Sequence, residues 1–271
     1  MVNEPMGPVV VGVDGSPVSM RALDLAAEEA VGRVTPLVVV YAQRSGGPAD
    51  ARLVGRRLLA VAESRARSEH PALAVTTELV TGYAADALVA RSHEACLVVV
   101  GRRGNGGGVG LPIGSVALSV ASRAASPVLV YRALDFGRFV VPPRPVLVGV
   151  DGLEPADAAV EFSFIEAELR GAPLHAVYVR PEPDGAQTDR HRRALSDAVA
   201  GWAGKYPDVP VVEQVRHGAN VAETLIEASR GAQLAVVGAS APDGLSQLVL
   251  GSVSMSLARH GGCPVAVIPR P

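Results

Sequence analysis

The sequence predicts an α/β protein made of two tandem copies of a doubly wound, five-stranded parallel sheet, strand order 3-2-1-4-5, with helices on both faces. Three observations predict it: a repeat at one fixed offset, short β-branched runs alternating with helical spacing, and a glycine-rich loop that leads from the fourth run into a helix. The repeat is read first. Val-Gly-Val-Asp-Gly stands at Val11–Gly15 and again at Val148–Gly152. Val40-Tyr41 recurs as Val177-Tyr178, and Val99–Gly101 as Val236–Gly238. Gly114–Val116 recurs as Gly251–Val253, and Pro127-Val128 as Pro264-Val265. Every pair is 137 residues apart, as 148 is from 11. Five anchors in one register mark a tandem duplication, with domains over 1–136 and 144–271. The seam, Tyr131 to Pro145, carries Asp135, Gly137 and prolines at 142, 143 and 145, which is linker chemistry.

Each element of the first copy has its own reason. Val9 to Val13 is an apolar, β-branched run. Ser16-Pro17 then supplies an N-cap with proline at the first helical position, and Met20, Leu23, Ala27 and Ala30 continue at helical spacing. Leu37 to Ala42 is the second strand, and a helix follows over about 49–69. Leu73 to Val80 alternates as a third strand. Ala84 to Glu94 is a helix and Cys96 to Val100 the fourth strand. Ser115 to Ala124 is a helix and Val128 to Tyr131 the fifth strand. The second copy follows the same order.

Composition narrows the function. The 271 residues are 48% hydrophobic and 19% charged, which suits a globular protein with buried parallel strands. A net charge of -2 offers no basic face for nucleic acid or a membrane surface. Met1 to Pro8 lacks a basic-then-apolar signal pattern, and no run of 18 apolar residues exists. Cys96 and Cys263 both lie in apolar runs and read as buried thiols of a reducing compartment. A cytoplasmic protein is expected.

The chemistry concentrates in the loop after the fourth strand. Six of the ten residues from Gly101 to Gly110 are glycine, and the segment runs through Leu111, Pro112 and Ile113 into Gly114-Ser115. Glycines at 101 and 104 are expected to adopt positive φ and let the backbone approach a ligand. Successive amides then form an anion nest, and the helix that starts at Gly114-Ser115 adds free N–H groups and its dipole. A flexible linker ending in a serine N-cap is the plainer alternative. The strand before, the helix after and the strict spacing favour polyphosphate. Arg102 and Arg103 are either solvated loop cations or phosphate or ribose contacts.

Asp14 closes the first strand. It is either the turn residue of Asp-Gly or a polar contact to a base or ribose. Ligands of doubly wound sheets sit where strand order reverses, and the expected order puts Asp14 and Gly101 in one crevice. Rival motifs fail. A P-loop needs Gly-Lys-Ser/Thr, and the single lysine, Lys205, precedes Tyr206. The first strand is not followed by Gly-x-Gly-x-x-Gly, and no Gly-x-Ser-x-Gly elbow exists. Histidines 70, 93, 175, 191, 217 and 260 lack metal-ligand spacing.

Gly101-x2-Gly104-x9-Gly114-Ser115, Val11 to Ser16, and Gly251 to Ser254 running on through His260, Cys263, Pro264 and Val265 together resemble the universal stress protein family, in its tandem, ATP-binding branch. The resemblance covers both copies. It implies ATP, with or without Mg2+, bound in each competent domain. Val13, Asp14 and Ala42 would meet the adenine side. Gly101, Gly104, Gly114, Ser115 and Val116 would meet the phosphates. It also implies a homodimer, or a pseudo-dimer of tandem domains, through the fifth strands. The implied role is a nucleotide-responsive regulator of stress or growth state, with at most slow hydrolysis. No nucleophile or general base stands out, so no catalytic residue is expected.

The second copy keeps Asp151, Val179, Gly238, Gly251, Ser252 and Val253 at the corresponding places. It departs in the loop, where Ala241, Pro242 and Asp243 replace the second glycine and its neighbours. A Cβ at 241 would hinder close backbone approach if φ must be positive there, and Asp243 adds negative charge. Unequal sites are therefore expected, the first copy tighter. Two other classes compete: an enzyme of the same superfold, such as an adenylyl transferase or slow ATPase, and a nucleotide-free interaction module. A transferase of that kind would want His-x-Gly-His, which His217-Gly218-Ala219-Asn220 does not supply.

Overall fold

Runs of valine and leucine without polar alternation make strands that are covered on both faces. The computed structural model describes residues 7–44, 46, 50–105, 112–132, 143–150, 157–180, 185–239 and 250–270. In it β1 (Val9–Gly12) and β4 (Leu97–Gly101) are the clearest such strands. Val9, Val11, Leu97, Val98 and Val99 are all fully buried. The chain divides into two units, Met1–Arg132 and Ala133–Pro271.

In the first unit the other elements are α1 (Pro17–Gly32), β2 (Leu37–Gln43), α2 (Ala51–Glu69), β3 (Val75–Thr81), α3 (Ala84–Ser92), α4 (Ser115–Arg123) and β5 (Val128–Tyr131). The strand order is β3-β2-β1-β4-β5, and every pairing is parallel. Helices α1 and α2 pack together, as do α3 and α4. The third strand starts two residues later than its alternation suggests, because the Leu73 N–H is taken by the His70 carbonyl in a turn. Ser16 caps α1 by accepting from the Ser19 N–H, and Pro17 opens the helix. Ala22, Ala26, Ala27 and Ala30 line its buried face, so small side chains set its approach to the sheet.

The second unit repeats this plan. Its elements are β6 (Val146–Val150), α5 (Asp157–Leu169), β7 (Leu174–Arg180), α6 (Gly185–Lys205), β8 (Val211–His217), α7 (Val221–Ser229), β9 (Leu234–Gly238), α8 (Ser252–His260) and β10 (Val265–Ile268). The order within it is β8-β7-β6-β9-β10, again parallel throughout. Most of the proline-containing seam, 133–142, lies outside the described residues.

The repeat extends to helix ends. At the end of α1 the Thr35 N–H donates to the Ala30 carbonyl and the Val34 N–H to the Val31 carbonyl. That is the Schellman arrangement, which requires a left-handed residue between them. At the end of α5 the Ala172 and Gly171 N–H groups bond Ala167 and Glu168 in the same way. Gly171 meets the requirement at φ +55, whereas Val34 adopts φ +53 with a branched side chain that is 93% exposed. Left-handed backbone costs a side-chain-bearing residue roughly 1–2 kcal/mol. Glycine offsets part of this gain through its freer unfolded chain. Val34→Gly is therefore expected to stabilise the first unit by about 0.5–1 kcal/mol. A higher denaturant midpoint at unchanged slope would show it; a lower midpoint would contradict it.

Candidate functional site

The site is built where the chain changes direction in the sheet. From β1 it runs outward through β2 and β3, then returns to place β4 on the other side of β1. The carboxyl ends of β1 and β4 therefore flank an uncovered crevice. The Val13 N–H still joins the ladder, donating to the Val40 carbonyl. Beyond it Gly15 turns the chain at φ +80, and the Asp14 carboxylate accepts the Ser16 N–H at 3.0 Å just before α1 begins. On the other side the Arg102 N–H donates to Tyr131 at 2.9 Å, and the Gly114 N–H donates back to the Arg102 carbonyl at 2.8 Å. That second bond closes the glycine-rich loop on itself. Gly114 is the N-cap of α4 and Ser115 its first helical residue, so the serine is not the cap.

One pocket opens here. Val13, Asp14, Ala42, Gly101, Gly104, Gly114, Ser115 and Val116 all line it. Sequence reasoning missed the apolar wall formed by Val40, Ala84, Leu88 and Val100, and the contributions of Ser19 and Ala117; of the two arginines it weighed as solvated cations or ligand contacts, Arg103 is among the lining residues and Arg102 is not. Apolar residues at helical or strand spacing carry the signature of core, so nothing in the sequence separated Ala84 and Leu88 from the rest of α3. Neither α3 nor α4 receives a side-chain cap, from Tyr83 or Gly114 respectively. Two positive helix ends thus meet the pocket.

Two expectations are corrected. Gly101 and Gly104 are not among the glycines with positive φ. Their smallness is demanded by neighbours. A Cβ at 104 would stand 2.0 Å from Asp14 Oδ2, and one at 101 would press on Val18 at 3.1 Å. Gly114 differs: its φ is −77, and a Cβ there would meet nothing closer than the Arg102 carbonyl at 3.4 Å. Asp14 is also more occupied than expected. Its second carboxylate oxygen accepts the Asn105 N–H at 2.6 Å, while Asn105 Nδ2 donates to the Asp14 carbonyl at 2.9 Å. Burial pushes the Asp14 pKa up and is the largest single influence. Hydrogen bonding from Ser16, the Asn105 N–H and Ser19 outweighs it, and the pKa lies below its ordinary value.

In the second unit Gly238 ends β9, Gly251 caps α8, and Ser252 and Val253 open that helix. Val179 is buried on β7. The backbone frame is the same: Ala239 N–H to Ile268 at 2.8 Å and Gly251 N–H to Ala239 at 3.2 Å. Asp151 and the loop with Ala241, Pro242 and Asp243 lie outside the described residues. Two differences are visible. Ser254 stands where the first unit has Ala117, and its hydroxyl donates to the Gly238 carbonyl. Asn220 caps α7 by accepting the Ala222 and Glu223 N–H groups, where α3 has the non-capping Tyr83. Among the described residues no cluster of His, Cys, Asp or Glu could hold a metal ion, and no helix is long and apolar enough to cross a membrane.

Comparison with known proteins agrees with this architecture. The model of the universal stress protein family matches the chain twice, over 6–132 and 143–269. A universal stress protein of Mycobacterium tuberculosis strain H37Rv is 34% identical, with 96% of each chain covered. One from Mycolicibacterium smegmatis is 32% identical, again with 96% of each covered. The crystal structure of a universal stress protein from Archaeoglobus fulgidus superposes with a TM-score of 0.74 at 18% identity, covering 97% of this chain and 96% of that one, which speaks to the fold alone. Two family matches that together span nearly the whole chain, and relatives similar along its full length, establish that this protein belongs to the universal stress protein family.

Proposed function

We propose that the first unit binds an adenine nucleotide, ATP in particular, and that the protein acts as a nucleotide-responsive regulator with little or no fast catalysis. The observation that carries this reading is the convergence of all eight nominated residues, from three separate strand ends and one helix start, on a single pocket. The pocket suits the ligand's parts. Val40, Ala42, Val100 and Leu88 offer an apolar surface to a base, while the start of α4 and the Ser115 hydroxyl offer donors to phosphate. Asp14 is the one carboxylate among the lining residues, and both its oxygens already accept backbone N–H groups. A general base needs a free, suitably basic oxygen, which supports binding over hydrolysis.

The second unit is proposed to bind nucleotide more weakly. Asn220 already takes up the positive end of α7, and Ser254 ties the first turn of α8 to β9. Calorimetric titration of the full chain with ATP is expected to give one tight site that Gly114→Glu abolishes. Two equal sites that both survive this substitution would refute the asymmetry. Turnover is expected to stay below about one per minute, against 1–10³ s⁻¹ for ordinary enzymes.

The glycines separate fold from function. Gly104→Ala forces a methyl against the Asp14 carboxylate and is expected to destabilise the first unit by about 1–3 kcal/mol. Gly114→Ala should change stability by less than about 0.5 kcal/mol, yet lower ATP affinity, because its Cβ meets little of the unliganded chain. Thermal unfolding beside titration checks both, and an equal stability loss at the two positions would count against the reading.

Asp14 supplies a pH test. Its folded pKa lies below the ordinary 3.8. The stability it contributes is therefore complete above the unfolded value and is lost as pH falls through the folded one. The native chain should exceed Asp14→Asn in stability at neutral pH, with the gap closing only below about pH 4. A constant gap down to pH 2 would show that the ionised form is irrelevant.

A further inference from the structure

Helix α2 buries Gly55, Leu59, Ala62 and Ala66 and turns a second apolar stripe to solvent. Gly55 sets the close approach to the sheet, because a Cβ there would stand 2.6 Å from the Tyr41 ring. Leu53, Arg57 and Val61 follow one another at i, i+4 and i+8 on the opposite face, with Val54 beside them. Leu53, Val54 and Val61 are 51%, 53% and 59% exposed. One exposed aliphatic side chain is ordinary, whereas several along one face of a helix mark a contact surface. Positive charge lies on the same stretch. No acid occurs from Ala51 to Ala62, and Arg52, Arg56 and Arg57 are all exposed. Among the described residues none of the three forms an ion pair, whereas further along the helix Arg65 holds Asp24 and Arg67 holds Glu63. Asp50, just before the helix, makes no side-chain cap.

The repeat shows that the fold does not ask for this stripe. The turn after α2, where the Leu73 N–H donates to the His70 carbonyl, recurs after α6 as Val209 to Tyr206. Tyr206 lies 136 residues beyond His70, and in that register Leu195 matches Leu59, both buried. Asp189, Arg190 and Asp197 then take the places of Leu53, Val54 and Val61. Arg192 and Arg193 match Arg56 and Arg57, so the first unit adds the aliphatic surface among its arginines. Charge selects what covers it. A second copy stacking α2 on α2 would set these arginines against their own counterparts, which opposes association. A lipid surface takes up a helix by sinking its apolar face among the headgroups, and Arg57 in the middle of the stripe does not suit that. An acidic amphipathic segment meets both halves: apolar side chains cover Leu53 and Val61, and carboxylates on either flank meet the guanidinium groups. The acid-free stretch is about 18 Å long, the scale of a small, transient contact.

We propose that the outer face of α2, with Leu53, Val54 and Val61 set among Arg52, Arg56 and Arg57, is a docking surface for an acidic amphipathic segment of a partner protein. None of these residues lines the pocket, so the surface stands whether or not a nucleotide binds there.

The experiment titrates the full chain, by fluorescence anisotropy, against two labelled helical peptides. Both carry leucines at i, i+4 and i+8; one is flanked by glutamates and the other by lysines. The glutamate peptide is expected to bind about ten-fold more tightly or better, with the advantage shrinking between about 0.05 and 0.5 M salt as the charges are screened. Leu53→Asp, Val54→Arg and Val61→Asp together install the second unit's own residues, and thermal unfolding checks that the fold is kept. This triple variant should weaken the glutamate peptide about ten-fold or more. Arg56→Glu with Arg57→Glu should reverse the preference in favour of the lysine peptide, which tests the surface independently of the triple variant. Leu169→Asp, at an exposed aliphatic side chain of the second unit, should change neither affinity. No binding of the glutamate peptide, equal affinity for the two peptides, or a preference that survives the charge reversal would overturn the proposal. So would sedimentation showing an oligomer that the triple variant disperses, since a second copy would then cover the stripe. Binding to phosphatidylserine vesicles that the triple variant loses would overturn it in favour of a lipid surface.

Discussion

β1 and β4 lie side by side although two strands and three helices separate them along the chain. Val9, Val10 and Val11 pair with Leu97, Val98 and Val99 in parallel register. This pairing brings Asp14 against Gly104 and Asn105, from segments that the sequence holds far apart. Its strength comes from burial. Each of these side chains, taken fully out of water, contributes about 1.5–3 kcal/mol. A hydrogen bond in the loop contributes about 0.5–1.5 kcal/mol net. The sheet core therefore decides where the pocket is, and the loop contacts decide only its detailed shape.

The duplication works as an internal control on which features the fold requires. Both units end their first helix in the same Schellman arrangement. Both bury an ion pair one turn from that end, Glu29 with Arg33 and Glu166 with Arg170. Both seat a leucine of their third or seventh helix against a strand glycine, Leu88 on Gly12 and Leu225 on Gly149. Features shared in this way serve the architecture. Features present once are free to serve a ligand. The uncapped start of α3 and the small Ala117 belong to the first unit; Asn220 and Ser254 belong to the second.

Much of this was legible in the chain itself. The single offset determined the two-unit plan, and unbroken valine runs determined the buried parallel strands, because a strand covered on both faces has no polar positions to alternate. The glycine spacing and the helix start pointed to Gly101, Gly104, Gly114 and Ser115, since local backbone chemistry marks a loop that must pass close to something; the expected strand order added Asp14, and the family resemblance added Val13, Ala42 and Val116. The tertiary structure alone decided what that something is in the unliganded chain. Gly104 is small because Asp14 lies against it, and not because of a special φ. Asp14 accepts the Asn105 N–H, and the Arg102 N–H donates to the Tyr131 carbonyl, through bonds between segments far apart in the chain. Spacing along a chain encodes local conformation and the rhythm of burial. It does not encode which distant side chain the sheet will bring into contact, and the detail of this site lies in those contacts.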